Sequence, residues 1–543
     1  MPIEMFVEDG KAVIFAQVDG TAIYEAAGVE PKAPYYGGGY HGGEPGFAGD
    51  DCYDCYGPQN LLTQVVVLDL AGGAPTVERE YFFEGSYLSS RREGDQVRVV
   101  LNGGAHAPGI DEYPDCANGC DDGDDWIEAV EAARQRAKAR VLQSTLDDYL
   151  SVRFQRAGGA VSQLDAGCTG HWVPTAGSSE YGLTQVEVLD LSDPSKAPGH
   201  TAITGMAQTV YASEGSLVLA GVSYDVSRFI YGVAVGGEVV LQSSFLHRFD
   251  LDANPAEPTY TGSTAVPGYL IDQFALDERD GVLRVATHVS KQSETTWSET
   301  NALYTVDVAR NRIMGAVEGL AEGEQMYSAR FVGDRGYFVT FRQTDPLFVF
   351  DIANPSAPTL QGELHIPGFS EYMHPIDDGH LLTIGQDGTL DGTNGQLALQ
   401  IFDVREATNP ILKHKLPLEQ GSSEALYNHK AFTFFRDMLA IPFESWDSYD
   451  GSYQAELALF SVDVDAGIAE KGRIDHSAMY DLGEEYSWCW PGGVRRGVFI
   501  EDFLYSVSSA GVAVHEVDGL TAVASASLPD FDAEAYCNGS YGY

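Results

Sequence analysis

One phrase, an apolar run closed by an acidic and then an aliphatic residue, returns eight times along this chain and limits its possible folds more than any other feature. It reads VVVLDL at 65–70, VEVLDL at 186–191, LHRFDL at 246–251, LYTVDV at 303–308, LFVFDI at 347–352, LQIFDV at 399–404, LFSVDV at 459–464 and VAVHEV at 512–517. The acidic positions Asp69, Asp190, Asp250, Asp307, Asp351, Asp403, Asp463 and Glu516 stand 121, 60, 57, 44, 52, 60 and 53 residues apart. The first interval is double the rest, so an insertion is expected there.

Each copy is followed by a turn such as SDPSKAP at 192–198 or ANPSAP at 353–358, then a strand such as TLQGELHI, then a Pro/Gly corner. Next come two apolar runs split by a short polar turn, as in SYLSSRREGDQVRVVL at 86–101 and MYSARFVGDRGYFVTF at 326–341, which is a hairpin signal. Four strands per roughly 50 residues, eight times over, is the arithmetic of a β-propeller. The predicted fold is all-β: a single eight-bladed β-propeller over 1–528, with four-stranded antiparallel blades and one inserted α-helix. Its blades end near 84, 205, 267, 323, 368, 420, 476 and 528, and 529–543 is a C-terminal tail. A sandwich array would need separate cores and linkers, whereas a propeller protects its edges by radial repetition. Whether residues 3–17 complete the first blade or the last stays open at this stage.

The long interval holds an insertion at 103–175, with Cys/Asp-rich loops and a helix predicted over 124–154. Trp126, Val130, Ala133, Ala137, Val141 and Leu142 form a helical stripe expected to lie on the propeller. Asp121, Asp122 and Asp124 sit where they cap the helix and complement its dipole. Together with Asp111 and Asp115 they are also the oxygen ligands of a candidate calcium site, with plain capping and solvation as the competing reading.

Eighty Asp and Glu against 32 Lys and Arg leave a formal charge of -48, a field that repels nucleic acid and anionic lipid. No apolar run is long enough for a membrane-spanning helix, and the amino terminus MPIEMFVEDG lacks the basic start and apolar stretch of a signal peptide. A mature or trimmed chain, secreted or displayed at the cell surface, is therefore expected. Seven cysteines point the same way. Cys52, Cys55, Cys116, Cys120, Cys489 and Cys537 are disulfide candidates, the last two clasping the tail to the body, and Cys168 beside His171 is left over. Zinc on the Cys52/Cys55 pair is disfavoured because the second close pair has different spacing and no nearby histidine.

The phrases GSYLSSR at 85–91, VPGYLIDQF at 266–274, LRVAT at 283–287, YSARFVGDRGYFVTFRQTDPLFVFD at 327–351, IPGFSEYMHP at 366–375 and SEALYNHKAF at 423–432 occur in order. In them the chain resembles the family of secreted proteins with a C-terminal β-propeller domain distantly related to WD40 repeats. The likeness runs from about residue 60 to 525 and is most specific over 266–432. It implies a propeller fold and an exported location, and it transfers no catalytic residues, since that family is functionally uncharacterised.

Polar residues opening the first strand of each blade are the natural ligand positions of a propeller. Arg330, Glu371, Tyr372, His374, Glu424, Tyr427 and His429 are the candidates at the channel mouth. His374 and His429, in matching phrases of neighbouring blades, can converge on one metal or substrate. Against this, a structural ring of hydrogen bonds explains the same repetition, and spacing identifies no third ligand. No phosphate-binding glycine loop, nucleophile elbow or HExxH signature occurs. Two functions follow. One is a calcium-stabilised scaffold binding a protein or polysaccharide partner, with a transition metal disfavoured. The alternative is a metal-dependent enzyme, oxidoreductase or hydrolase, at the channel mouth.

Overall fold

The computed structural model describes residues 2–8, 10–31, 60–72, 74–103, 123–165, 167, 169–176, 182–193, 195–224, 239–292, 296–341, 345–388, 396–446, 453–480, 489, 492–528, 531 and 536–537. Their strands form eight sheets, and the fold is an eight-bladed β-propeller. Residues 1–235, 240–269 and 308–312 make one compact unit, and 236–239, 270–307 and 313–543 make a second.

The first unit carries blades one to three. Blade one runs Pro2–Glu8, Lys11–Asp19, Leu61–Asp69, Thr76–Glu84 and adds the hairpin Arg153–Ala157/Ala160–Gln163 at its far edge. Residues 2–19 thus belong to the first blade. Blade two runs Ser86–Glu93, Gln96–Asn102, Leu183–Asp190, Gly199–Thr204, with the short strand His171–Trp172 joined in parallel to the last of these. Blade three is Thr209–Ser213, Ser216–Tyr224, Gln242–Asp250 and Thr259–Pro267.

The second unit carries the other five. Blade four is built on Val282–Gln292, Trp297–Asp307 and Arg312–Leu320, with Leu276–Arg279 paired to the first of them. Blade five is Gln325–Val332, Arg335–Phe341, Asp345–Asp351 and Thr359–Ile366, and blade six is Phe369–Asp377, His380–Asp387, Gln396–Asp403 and Ile411–Pro417. Blade seven is built on Met438–Trp446, Tyr453–Asp463 and Gly467–Asp475; both Gly421–Ser422 and Thr433–Phe435 pair with its Met438–Trp446 strand. Blade eight is Arg496–Ile500, Phe503–Val507, Gly511–Glu516 and Ala522–Ser527. Four sheets have four strands and four have one or two more, additions that the repeat arithmetic does not foresee.

Inner strands read as unbroken apolar runs because both of their faces are covered. Every residue from Leu397 to Asp403 is buried, and Leu399 and Ile401 pack with Leu439, Ile441 and Phe460 of the next blade. Fourth strands such as Thr359–Ile366 are far more exposed, with Ile366 alone buried. In six blades that strand also has a bulge opposite the repeat phrase: one residue, such as Gln361 between Leu360 and Gly362, is left unpaired. A bulge raises local twist and bends the outer edge. There the turn of the following blade presses in so closely that a Cβ on Gly362 would stand 2.1 Å from the Ala407 carbonyl oxygen; Gly315 of blade four is crowded likewise, its Cβ 2.5 Å from the Pro355 carbonyl oxygen.

The recurring acid ends the third strand of every blade. Its side chain accepts the backbone N–H two residues on: Ala71 to Asp69 at 2.8 Å, Ser192 to Asp190 at 3.1 Å, Asp252 to Asp250 at 2.8 Å, Ala353 to Asp351 at 2.9 Å, Arg405 to Asp403 at 3.1 Å and Asp465 to Asp463 at 2.8 Å. This is the Asx turn, in which a short acidic side chain replaces the missing strand partner.

The predicted 124–154 helix spans only Gly123–Gln143. It stops because Ser144 turns its hydroxyl back onto the Val141 carbonyl (2.8 Å) and Thr145 forms a capping box with Asp148, starting a 3-10 turn at Leu146–Asp148. The chain then enters blade one, where Val152 and Phe154 are buried against Ile23, Tyr24 and Phe82. The helix stripe is not covered as expected. Ala133 is buried, but Trp126, Val130, Val141 and Leu142 are exposed, because the middle of the stripe is alanine and offers little apolar area. A second helix, Thr21–Ala27, escapes a periodicity search by its shortness; it ends at Gly28, which takes the left-handed conformation with φ 68°. Cys489 and Cys537 form a disulfide with Cα atoms 5.6 Å apart. Cys52, Cys55, Cys116, Cys120 and Cys168, with Asp111, Asp115, Asp121 and Asp122, lie outside the described residues, as does the side chain of Asp124.

The turn carboxylates are separable from the core they serve. Asp351→Ala is expected to lower stability by about 1 kcal/mol, as loss of a capping side chain does, while Asp351→Asn keeps most of it because the amide oxygen can accept the same N–H. Denaturant melts of the two variants check this, and equal losses would count against the turn bond.

Candidate functional site

Three stretches of the second unit that open blades, together with the segment leading into blade four, bring a cation and several rings together. Asp272 caps a 3-10 turn, Gln273–Ala275, by accepting the N–H groups of Phe274 (2.7 Å) and Ala275 (3.1 Å). This turn presents Phe274 to Arg330, whose guanidinium carbon lies 4.1 Å from the ring centroid and 5.9 Å from that of Tyr372. Phe274 in turn meets Tyr372 edge-on at 5.5 Å and His429 edge-on at 5.1 Å. Tyr372 packs on Phe432 at 4.9 Å, and His374 lies 5.6 Å from Phe432 and 5.1 Å from Phe434.

Local backbone rules explain how these groups meet. Tyr372 and His374 are two apart on the strand Phe369–Asp377, so they share a face. His429 opens a 3-10 turn, His429–Ala431, capped by Asn428, whose side-chain oxygen accepts the N–H of Lys430. The side-chain nitrogen of Gln273 lies 3.0 Å from His429 Nε2.

The electrostatics follow from burial. Desolvation pushes the Asp272 carboxyl up to about 6, against the opposing pull of its two backbone N–H donors and of Arg330. Desolvation, helped by the Arg330 charge, pushes His374 down to about 4, so its imidazole is neutral at physiological pH. The cluster therefore offers a fixed cation stacked on aromatic faces, with a neutral imidazole beside it. Such a surface suits planar, anionic or carbohydrate-like groups, because cation, ring face and imidazole act from adjacent positions.

Of the seven sequence candidates, the structure thus gathers Arg330, Tyr372, His374 and His429 around Phe274 and Phe432. Glu371 lies apart: burial raises its carboxyl and Gln386 hydrogen-bonds it. Glu424 faces another way, its Oε1 accepting from Asn428 Nδ2 (2.7 Å) and Arg496 Nη2 (2.9 Å). Burial alone would raise the Glu424 carboxyl, but the two arginines Arg496 and Arg495 and the Asn428 bond outweigh it and hold it low. Tyr427 is 80% exposed. Among the described residues no group of three or more His, Cys, Asp and Glu is placed to hold a metal ion. Sequence reasoning missed Asp272, Phe274 and Phe432. The signal for the first two was an Asp two residues ahead of an aromatic in LIDQF, the spacing of an Asx cap.

The model of the Beta propeller domain family matches residues 1–520. An uncharacterized protein of Archaeoglobus fulgidus is 34% identical over 255 residues, covering 47% of this chain and 35% of that one. The uncharacterized protein MJ1554 of Methanocaldococcus jannaschii is 39% identical over 170 residues, 31% of this chain and 26% of its own. The chain thus spans about a third or less of the length of these curated relatives. Among solved structures, the β-propeller domain of Myceliophteria thermophila Cps50 (Swd1) is 10% identical at a TM-score of 0.31, covering 60% of this chain and 87% of that one.

The Arg330–His374 coupling is measurable. The ring of His374 should titrate near pH 4 by NMR. Between there and its unfolded value the unfolded chain binds more protons, so this histidine's contribution makes stability fall as pH drops through that window. Arg330→Ala should move the midpoint upward; an unmoved midpoint would show that the two groups do not sense each other.

Proposed function

Because the chain belongs to the Beta propeller domain family, we propose that it works as a binding scaffold, exported or held at the cell surface, whose partner is a protein or a polysaccharide. The observation that carries this reading is the stacking of Arg330 on Phe274 beside Tyr372 and His374, contributed by successive segments of the second unit. Arginine and aromatic side chains in contact are the usual anchors of recognition surfaces, and aromatic faces also take sugar rings. Export is supported by the Cys489–Cys537 disulfide, a bond that persists in oxidising surroundings, and by the formal charge of -48. Among the described residues no helix is long and apolar enough to cross a membrane. Calcium bound by Asp111, Asp115, Asp121, Asp122 and Asp124 would offset part of that charge.

A second reading, a metal-dependent oxidoreductase or hydrolase at the same cluster, draws on Asp272 and His374. Both have proton affinities far from their ordinary values, a trait concentrated at reactive sites.

Glycan arrays and crosslinking to envelope proteins of the source cell should identify a ligand whose affinity falls at least tenfold in Arg330→Ala and Phe274→Ala. Retention of full affinity by both variants would place recognition elsewhere. Elemental analysis of the purified chain separates the two readings. Calcium with a lower melting temperature in chelator, and no transition metal that depends on His374 or His429, fits the scaffold. Stoichiometric copper, zinc or iron that disappears in His374→Ala or His429→Ala fits the enzyme.

A further inference from the structure

A different cluster, in the first unit, brings two imidazoles and a buried carboxylate together. On blade two, Glu187 and His200 stand directly opposite each other on paired strands. Glu187 is fully buried, and its carboxylate is held by Arg153, with Nε at 3.0 Å and Nη2 at 2.7 Å from Oε2. Arg153 is itself fixed by the Pro198 and Asp165 carbonyls, each at 2.9 Å. The other carboxylate oxygen, Oε1, lies 2.7 Å from His200 Nδ1. A buried, arginine-paired carboxylate acts here as an acceptor, so Nδ1 carries the proton and the lone pair of His200 is left on Nε2.

The short parallel strand His171–Trp172 brings a second imidazole to that lone pair. His171 opens the two-residue strand that pairs with Gly199–Thr204, opposite Ala202, and its Nε2 lies 3.4 Å from His200 Nε2. The approach depends on Gly170, at φ +87°, where a Cβ would stand 2.8 Å from the His200 carbonyl oxygen. The far nitrogen of His171, Nδ1, is buried without a hydrogen-bond partner.

The separation of the two nitrogens is informative. A usual N–H hydrogen bond is about 2.9–3.0 Å long, whereas two nitrogens each about 2.05 Å from a tetrahedral ion stand about 3.35 Å apart. Carboxylate, imidazole and ion in a row is also the standard outer-shell arrangement of histidine metal sites. A cavity of about 300 Å³, lined by Asp165, Thr169, Trp172, His200, Asn254 and Glu257 among others, opens beside His200.

We propose that His171 and His200 hold a first-row divalent metal ion between their Nε2 atoms, with Glu187 as the residue that orients His200. Imidazole donors select zinc, copper, nickel or cobalt over calcium and magnesium. Among the described residues no third His, Cys, Asp or Glu completes the shell. The remaining positions fall to water and to oxygen or nitrogen donors of a small molecule in the cavity, an open coordination sphere of the kind that binds and polarises ligands. This site is independent of the Arg330 cluster.

The test uses the full chain, stripped with chelator and dialysed. Titration with cobalt(II), followed by visible absorption, and with zinc, followed by calorimetry, should show saturable uptake at this site. His171→Ala should weaken that uptake at least tenfold, and Glu187→Gln should weaken it about 10–100-fold, as loss of an outer-shell partner does. His171 is the better variant because its ring is only half-buried, and an unchanged melting curve shows that the fold survives. His365→Ala, an exposed histidine outside both clusters, serves as the control that leaves this uptake intact. Absence of saturable binding overturns the proposal, and so does equal affinity in His171→Ala, which would assign the ion to other histidines or would leave the pair as a plain N–H···N contact.

Discussion

The third strand of each blade ends in a tight turn, and the backbone N–H groups of that turn lie outside the strand ladder and need another acceptor. The repeated aspartate supplies one from its own side chain. In six blades the bond from the residue two positions on closes the turn, and this fixes where the fourth strand starts. In five of these blades a bulge follows in the fourth strand, and in blade five the neighbouring Gly362 meets the following blade's turn. The side-chain bond from Arg405 holds the Asp403 carboxyl down to about 2, and the backbone N–H of Ala466 lowers that of Asp463.

The two clusters with chemical potential are made differently. Around Arg330, rings from consecutive blade openings meet because equivalent positions of adjacent sheets are neighbours, so the repeat itself assembles the group. Around Glu187 the partners come from the insertion: Arg153 from the hairpin that widens blade one and His171 from the strand that widens blade two. The propeller provides the rigid sheet edge, and the added strands provide the reactive side chains. Sites placed on regular strands are held more closely than sites on loops.

Much of the fold was legible because the repeat is a physical constraint written at fixed spacing. Each aspartate marks the same strand in each sheet, and hairpin turns mark the others. The extra strands were not legible, since His171–Trp172 and Arg153–Ala157 are too short for periodicity to distinguish. The same holds for partnerships between positions far apart in sequence. Arg153 and Glu187 are 34 residues apart, and only strand order and register bring them together. Tyr372, His374 and Arg330 could be named from their place in the blade, but the ring that joins them, Phe274, sits on a turn whose orientation depends on the Asp272 cap. The helix was placed correctly at its start and overextended at its end, because Ser144 and Thr145 compete for the backbone in a way that apolar spacing does not record.

The hairpin Arg153–Gln163 bears on how this polypeptide can acquire its shape as it leaves the ribosome. Blades five, six and eight each come from one uninterrupted stretch and can finish their pairing as soon as that stretch emerges. Blade one cannot. Its outermost strands are encoded after the first two strands of blade two, and the last strands of blade two come later still. The amino-terminal pair of sheets must therefore mature together, interlocked, and the nascent chain is exposed longest there, where the insertion's apolar surface waits for partners.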